Sequence, residues 1–393
     1  KSKAPKPSIT VIDRKNFVLF TAFLPEVLSN QLNPLSIVPA IRRIIGKRDI
    51  SFHQTEVKEI DLDSKRVITQ KGVFEYDTLI LALGGVTNYF GNENFEKYSF
   101  PFKTMADGLR LRNHVIDLLE RADRSTDPQE RRRLLTFVQA GAGACGLEVM
   151  TELREFLHKV CGKVYPTIDF QRDVRLILAE GLPRVLSGMP ESCAVAACEK
   201  MERREIKIHL NTFVTDAGPG WVEFDGRERV ECETFIWVAG IKANPLIASL
   251  PVEHDRMGRI KVDQFNAVPG YPGVYAIGDN AHFVENGQPL APTAQVAVQQ
   301  GPALARNLVA QAEGRPMKPF KFHYRGDLVS IGTLDAVCSP YGRNIYGAGG
   351  WLLFKWVYFS KMPTMQNRFR LLSDWLLNAL QGPTVARLEY DGK

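Results

Sequence analysis

Three glycines, Gly141, Gly143 and Gly146, stand in the spacing G-x-G-x-x-G between an apolar run at 134–140 and a helical pattern at 145–160. A strand that turns through such a loop into a helix is a seat for a dinucleotide pyrophosphate. Gly141 permits the tight turn, Gly143 lets the backbone approach the phosphates, and Gly146 lets helix and strand pack closely. The helix N-terminus offers free N–H groups and a positive dipole end to the anion. The next apolar run, 174–180, ends in Glu180. A carboxylate there accepts hydrogen bonds from both ribose hydroxyls and repels a 2′-phosphate, which favours NAD over NADP. Gly141 and Glu180 are 39 positions apart, against roughly 20 in the compact fingerprint. A longer helix and the 165–172 loop fill the difference. Glu148, in the first helical turn, has two readings. It is a carboxylate resting on the helix dipole, or a group placed where nicotinamide meets its hydride acceptor. Spacing alone does not separate them.

The six cysteines, Cys145, Cys161, Cys193, Cys198, Cys232 and Cys338, make no CxxC and no zinc-type pairing with the seven scattered histidines. In a chain this long that argues for a reducing compartment. Cys193 and Cys198 have the C-x4-C spacing of a flavoenzyme redox disulfide. Their segment reads helical, however, and residues five apart on a helix lie about 140° apart. They are read as a buried structural pair.

The elements that must position these groups alternate. Strand patterns at 9–13, 52–60, 65–70, 73–76, 76–85 and 273–277 alternate with helical patterns at 35–45, 104–123, 192–204 and 294–312, which argues for a parallel α/β architecture. A length of 393 residues suggests two to three domains. Hydrophobic residues at 45% and charged residues at 24% exclude a largely disordered chain. A net charge of +6 is too weak to argue for nucleic acid, but suits an acidic cofactor or an anionic membrane surface. The basic start is not followed by the apolar run of a signal peptide. No apolar stretch reaches about 18 residues, so no spanning helix is expected.

Several motifs converge on one resemblance. Phe17-Val-Leu-Phe20 with 23–27, Tyr76-Asp-Thr-Leu-Ile-Leu-Ala-Leu-Gly84, Phe235-Ile-Trp-Val-Ala-Gly240, Val274-Tyr-Ala-Ile-Gly-Asp279 and Pro292-Thr-Ala-Gln-Val-Ala-Val-Gln-Gln-Gly301 resemble the type II NADH dehydrogenases, non-pumping NADH:quinone oxidoreductases among the two-dinucleotide-domain flavoproteins. The resemblance covers essentially the whole chain. It implies two Rossmann-like domains, the FAD domain interrupted by the NAD domain. FAD binding would occupy 1–106 and resume at 248–322, NAD(H) binding would occupy 107–247, and a membrane-docking tail would follow at 323–393. The resemblance implies Asp13, Ala82, Gly84, Gly278, Asp279, Ala294 and Gln295 at FAD, and Gly141, Gly143, Gly146, Glu180, Ala239 and Gly240 at NAD. Glu148 would sit near the nicotinamide–flavin contact, and Gln295 and Gln299 would face the quinone. No metal is implied.

The tail carries the same resemblance. At 350–381 it looks like the family's membrane-docking helices. Phe369, Leu372, Leu376 and Leu380 share one stripe, while Lys355, Lys361, Arg368 and Arg370 suit lipid headgroups. The expected setting is peripheral, on the cytoplasmic face of a bacterial inner membrane or on an organellar inner membrane, and the stripe also suits a homodimer contact. In one respect the chain departs from the family. No G-x-G-x-x-G precedes Asp13, where the family binds the FAD pyrophosphate. A segment of about 25 residues upstream of the chain as given is expected to carry it. Three other readings stay open: a soluble NADH-dependent flavin reductase of another acceptor, a sulfide:quinone-type reductase, and a flavin-free, membrane-associated NADH-binding interaction protein.

Overall fold

Five parallel strands form the sheet that carries the glycine loop. Their order is Ile206–Leu210, Arg175–Glu180, Thr136–Ala140, Thr234–Trp237 and Phe100–Pro101. Every residue of Thr136–Ala140 is buried, as a central strand covered on both faces requires. Helix Met105–Arg124 starts on a capping box in which Thr104 and Asp107 satisfy each other's backbone N–H groups. Helix Ala144–Glu155 follows the glycine loop and loosens into a π-helical turn over Phe156–Val160. Helix Glu191–Glu202 carries Cys193, buried, and Cys198, partly buried.

This is a computed structural model. It describes residues 6–387 and falls into two compact units. The sheet above belongs to the unit made of Val18–Pro39, Asn88–Gly240 and the chain from Gly326 on. Its tail forms an antiparallel three-stranded sheet, Leu328–Ser330, Ala336–Cys338 and Ile345–Tyr346, then helices Gly347–Lys361 and Met365–Gln381. Those helices pack on the 18–39 segment. The ring of Phe23 meets Phe354, Tyr358 and Trp375 edge-on at 6.1, 6.0 and 5.9 Å.

The second unit comprises the chain up to Phe17, Ala40–Thr87 and Ile241–Arg325. It holds the parallel pairs Ile9–Asp13 with Ile50–Gln54, and Leu79–Leu81 with Val274–Ala276. An antiparallel sheet, Val57–Asp61, Arg66–Thr69 and Gly72–Glu75, and helix Ala294–Ala312 complete its main elements.

Two local expectations change. The helical pattern at 35–45 is split into a 3₁₀ turn, Pro34–Ile37, and a short helix, Ile41–Ile45, because Pro39 has no N–H to continue a helix. The 76–85 run is not a long buried strand. Leu79–Leu81 pairs as one short strand, Gly85 opens another that pairs with Ile241–Ala243, and Ile80, Ala82 and Leu83 are exposed.

Candidate active site

The glycine loop is shaped by steric necessity. Gly141 has φ +103°, and a Cβ there would lie 2.8 Å from the Ala239 Cα and the Val238 carbonyl. A Cβ on Gly146 would lie 2.1 Å from the Gly141 carbonyl oxygen. Gly143, the helix N-cap, meets nothing within 4 Å. It leaves open space in front of the helix N-terminus, where a phosphate would approach. Ala239 and Gly240 follow the Thr234–Trp237 strand, and the Gly240 backbone lies against the Phe90 ring. Glu180 is half-buried at the end of its strand. One oxygen accepts from Ala142 N at 2.7 Å, the other from Leu182 N at 3.0 Å. The carboxylate expected to meet the ribose therefore also braces the loop beside it.

Glu148 keeps only a partial solvent face, and its Oε1 accepts from Ser330 N at 3.3 Å. Burial pushes its carboxyl up to about 8, against the Ser330 N–H and with the negative charges of Glu26 and Glu152 adding to the rise. Glu152, one turn on, is buried and accepts from Ser29 Oγ at 2.5 Å and Gln31 Nε2 at 2.9 Å. Its carboxyl is also raised, first by burial and then by Glu26. Glu26 in turn pairs with Lys355 Nζ at 2.5 Å, both side chains being buried.

The second unit gathers the expected flavin residues. Gly84 (φ +70°) and Gly278 (φ +67°) are left-handed turns that favour glycine. The Gly278 N–H donates to Gln300 Oε1 at 2.7 Å, and Asp279 Oδ2 accepts from Gly85 N at 3.2 Å. Buried Asn280 spans the Leu83–Gly84 backbone when its amide is oriented to match donors with acceptors. Asp279, Ile241, Lys242, Arg259 and Pro292 line a narrow cleft. Asp13 ends its strand and accepts from Lys15 N at 2.8 Å. Its carbonyl holds Thr55 N, on the rim of an open cleft of about 310 Å³ that also includes Arg42, His53, Lys71 and Phe74. This residue set fits FAD: glycine backbone and a carboxylate at one cleft, two cations and aromatic rings at the other. Ala294 is exposed at the start of helix Ala294–Ala312. Gln295 Oε1 accepts from Arg325 N at 3.2 Å, and Gln299 grips the His323 backbone with both ends of its amide, at 3.0 and 3.1 Å.

Comparison with known proteins gives the family and the fold. The model of the pyridine nucleotide-disulphide oxidoreductase family matches residues 2–301. The type II NADH:quinone oxidoreductase NdhA of Mycobacterium tuberculosis is 30% identical over 382 residues, covering 93% of this chain and 81% of that protein. The chain belongs to the type II NADH:quinone oxidoreductases. Another member of the family, from Staphylococcus aureus strain NCTC 8325, is 28% identical over 344 residues, 86% of this chain and 84% of that one. The fold matches NDH2 from Plasmodium falciparum, solved in complex with NADH, with TM-score 0.89 at 20% identity, covering 97% of this chain and 95% of that one. The sulfide:quinone oxidoreductase of Aquifex aeolicus shares the fold less closely, with TM-score 0.74 at 16% identity over 95% and 90% of the two chains.

In this type II NADH:quinone oxidoreductase the tail helix Met365–Gln381 sets polar side chains as well as Leu371 and Trp375 against the 18–39 segment and the core. Asn367 donates to the carbonyls of Leu35 and Ser36 at 3.0 Å each, Asp374 accepts from Asn33 N at 3.0 Å, and Asn378 donates to the Gln31 carbonyl. Phe369, Leu372, Leu376 and Leu380 are left exposed. Among the described residues no helix is long and apolar enough to cross a membrane. Lys355 corrects one sequence expectation: it is buried on Glu26, near the rings of Trp375, Trp351 and Phe23, and does not face outward to headgroups. Sequence reasoning also passed over Gln139 and Gln300. Gln300 has one signal, an amide four residues from both Val296 and Leu304 on the buried stripe of its helix. Gln139 had one signal, an amide in an otherwise apolar strand.

Proposed function

We propose that the chain oxidises NADH through FAD and passes two electrons to a membrane quinone, without proton pumping. What carries the reading is its likeness to the type II NADH:quinone oxidoreductases over more than nine-tenths of its length, joined to a nucleotide loop in working geometry. FAD, when bound, supplies the redox chemistry by taking hydride from NADH and releasing electrons to the quinone.

The protein's residues bind, orient and shield. Gly141, Gly143 and Gly146 with the Ala144–Glu155 helix N-terminus take the NADH pyrophosphate, Glu180 takes its ribose, and Ala239 and Gly240 line the nicotinamide side. Asp279, Gly278, Gly84, Ala82, Ala294 and Gln295 hold the flavin end of FAD, and Asp13 its adenosine ribose. Glu148 holds a proton at neutral pH and acts as the acid–base group. Gln295 and Gln299 line the quinone side, their amides steadied by Arg325 and His323. The segments 1–106, 107–247, 248–322 and 323–393 serve FAD, NAD, FAD and docking in turn.

The tail docks on lipid as a peripheral element of a bacterial inner membrane's cytoplasmic face or of an organellar inner membrane. The observation behind this is the helix whose asparagines face protein while Leu372, Leu376, Leu377 and Leu380 face out. The mildly basic chain suits the anionic leaflet.

The purified protein should absorb near 450 nm and consume NADH in the presence of a soluble quinone, but not consume sulfide. Flavin without NADH-dependent quinone reduction would overturn the proposal, and sulfide oxidation would move the chain to the neighbouring class.

A further inference from the structure

Gln139 lies two residues before Gly141 in the central strand and is completely buried. Its Nε2 donates to the Gly141 carbonyl at 3.1 Å and to the Gly146 carbonyl at 2.8 Å. One NH₂ group thus spends its two hydrogens on the first and last glycines of the loop. The orientation is dictated, since the reverse would set Oε1 against the same two carbonyls. Oε1 itself has no partner among the described residues. An unmet acceptor in a dry interior is costly. Its strand neighbours Phe137, Val138 and Ala140 are apolar and buried, and Leu or Met would fill the same volume without that cost. What Gln139 gains lies in the loop.

The Gly141–Ala142 peptide explains the gain. In a trans peptide the carbonyl and the N–H point to opposite sides. Gln139 draws the Gly141 carbonyl inward, which turns the Ala142 N–H outward onto Glu180 Oε2 at 2.7 Å. The second bond fixes the first turn of the helix whose free N–H groups face the phosphates. A Cβ on Gly146 would lie 2.1 Å from the Gly141 carbonyl and 3.0 Å from Gln139 Nε2, so the three groups interlock.

We propose that Gln139 is a positioning residue of the dinucleotide site. It cross-links both ends of the glycine loop and presets its N–H groups for a pyrophosphate. The proposal rests on the NADH reading above. Preorganisation of this kind lowers the ordering cost of binding and leaves the later electron transfer alone.

Gln139→Met and Gln139→Leu test it in the flavin-loaded full chain. The NADH KM, and the NAD⁺ dissociation constant by calorimetry, should rise about tenfold. kcat at saturating NADH, the quinone KM and the flavin content should stay within about twofold. An unchanged NADH KM, or a loss spread equally over kcat and quinone KM, would overturn it. Hydrogen exchange on the wild type needs no variant. The Gly141 and Ala142 amides, held by the Ala179 carbonyl and Glu180, should already exchange slowly without NADH, and fast exchange of these two that slows only when NADH is added would also overturn it. A wild type that consumes no NADH overturns the activity reading instead, and NAD⁺ calorimetry on the same variants then decides the role of Gln139.

Discussion

Gln139 and Glu180 hold one peptide group, Gly141–Ala142, from opposite ends: an amide donates to its oxygen at 3.1 Å and a carboxylate accepts from its nitrogen at 2.7 Å. Glu180 therefore braces the loop, and in the proposed NADH site the same carboxylate presents its negative charge to the ribose. Glu180→Gln keeps a carbonyl oxygen for one N–H but lacks the charge. Its NADH KM should rise about tenfold, and its preference for NADH over NADPH should shrink, since the repulsion of a 2′-phosphate is gone. Steady-state kinetics with both nucleotides check this.

Gly143 separates binding from folding. A methyl group there meets no protein atom within 4 Å, so Gly143→Ala should fold with an unchanged melting temperature. The same methyl occupies the space a phosphate needs, and the NADH KM should rise about tenfold or more. Gly146→Ala, with its Cβ 2.1 Å from the Gly141 oxygen, should instead lose both stability and binding.

Glu148 gives a pH dependence. Its carboxyl titrates at about 8 in the folded protein, against an ordinary 4.5. Between those values the folded state keeps a proton that the unfolded chain has released. Stability must then fall as pH rises through that window and level off above it. Glu148→Gln should flatten part of the fall in denaturation midpoints measured at pH 5, 7 and 9. Part remains, because burial raises Glu152 in the same direction. The variant should also lose quinone reductase turnover.

Lys355 is buried against Glu26. Removing one partner of such a pair strands a charge, so Lys355→Met should destabilise the unit by roughly 3–5 kcal/mol. The double variant with Glu26→Gln should recover much of that. Tryptophan fluorescence during chemical denaturation reports on it, since Trp351 and Trp375 lie 5.3 and 4.9 Å from the ammonium.

Leu376 and Leu380 are 62% and 74% exposed and support no visible packing. Leu376→Asp with Leu380→Asp should leave the fold and soluble-quinone activity intact. The pair should abolish flotation with anionic vesicles, because charges on the apolar face oppose insertion.

What depends on neighbours along the chain was legible in the residues alone. The glycine spacing, the apolar strand before it and the carboxylate ending the next strand mark the nucleotide loop, because turn, dipole and backbone access are local properties. Helix Ala294–Ala312 was legible from its period, end to end. The leucine stripe of the tail was legible for the same reason. Which side of that helix faces protein was not: period separates two faces but does not say which is buried. It took packing in three dimensions to turn Asn367 and Asp374 inward and to draw Lys355 from the headgroup set onto Glu26. The two are 329 positions apart, and no local pattern encodes such a pair. The split of the 35–45 helix and the packing of 18–39 beneath the tail were settled in the same way, by partners far away in sequence. Gln139 belongs here too. As a letter it is a polar flaw in an apolar strand, and only the positions of two carbonyls in space show what it holds.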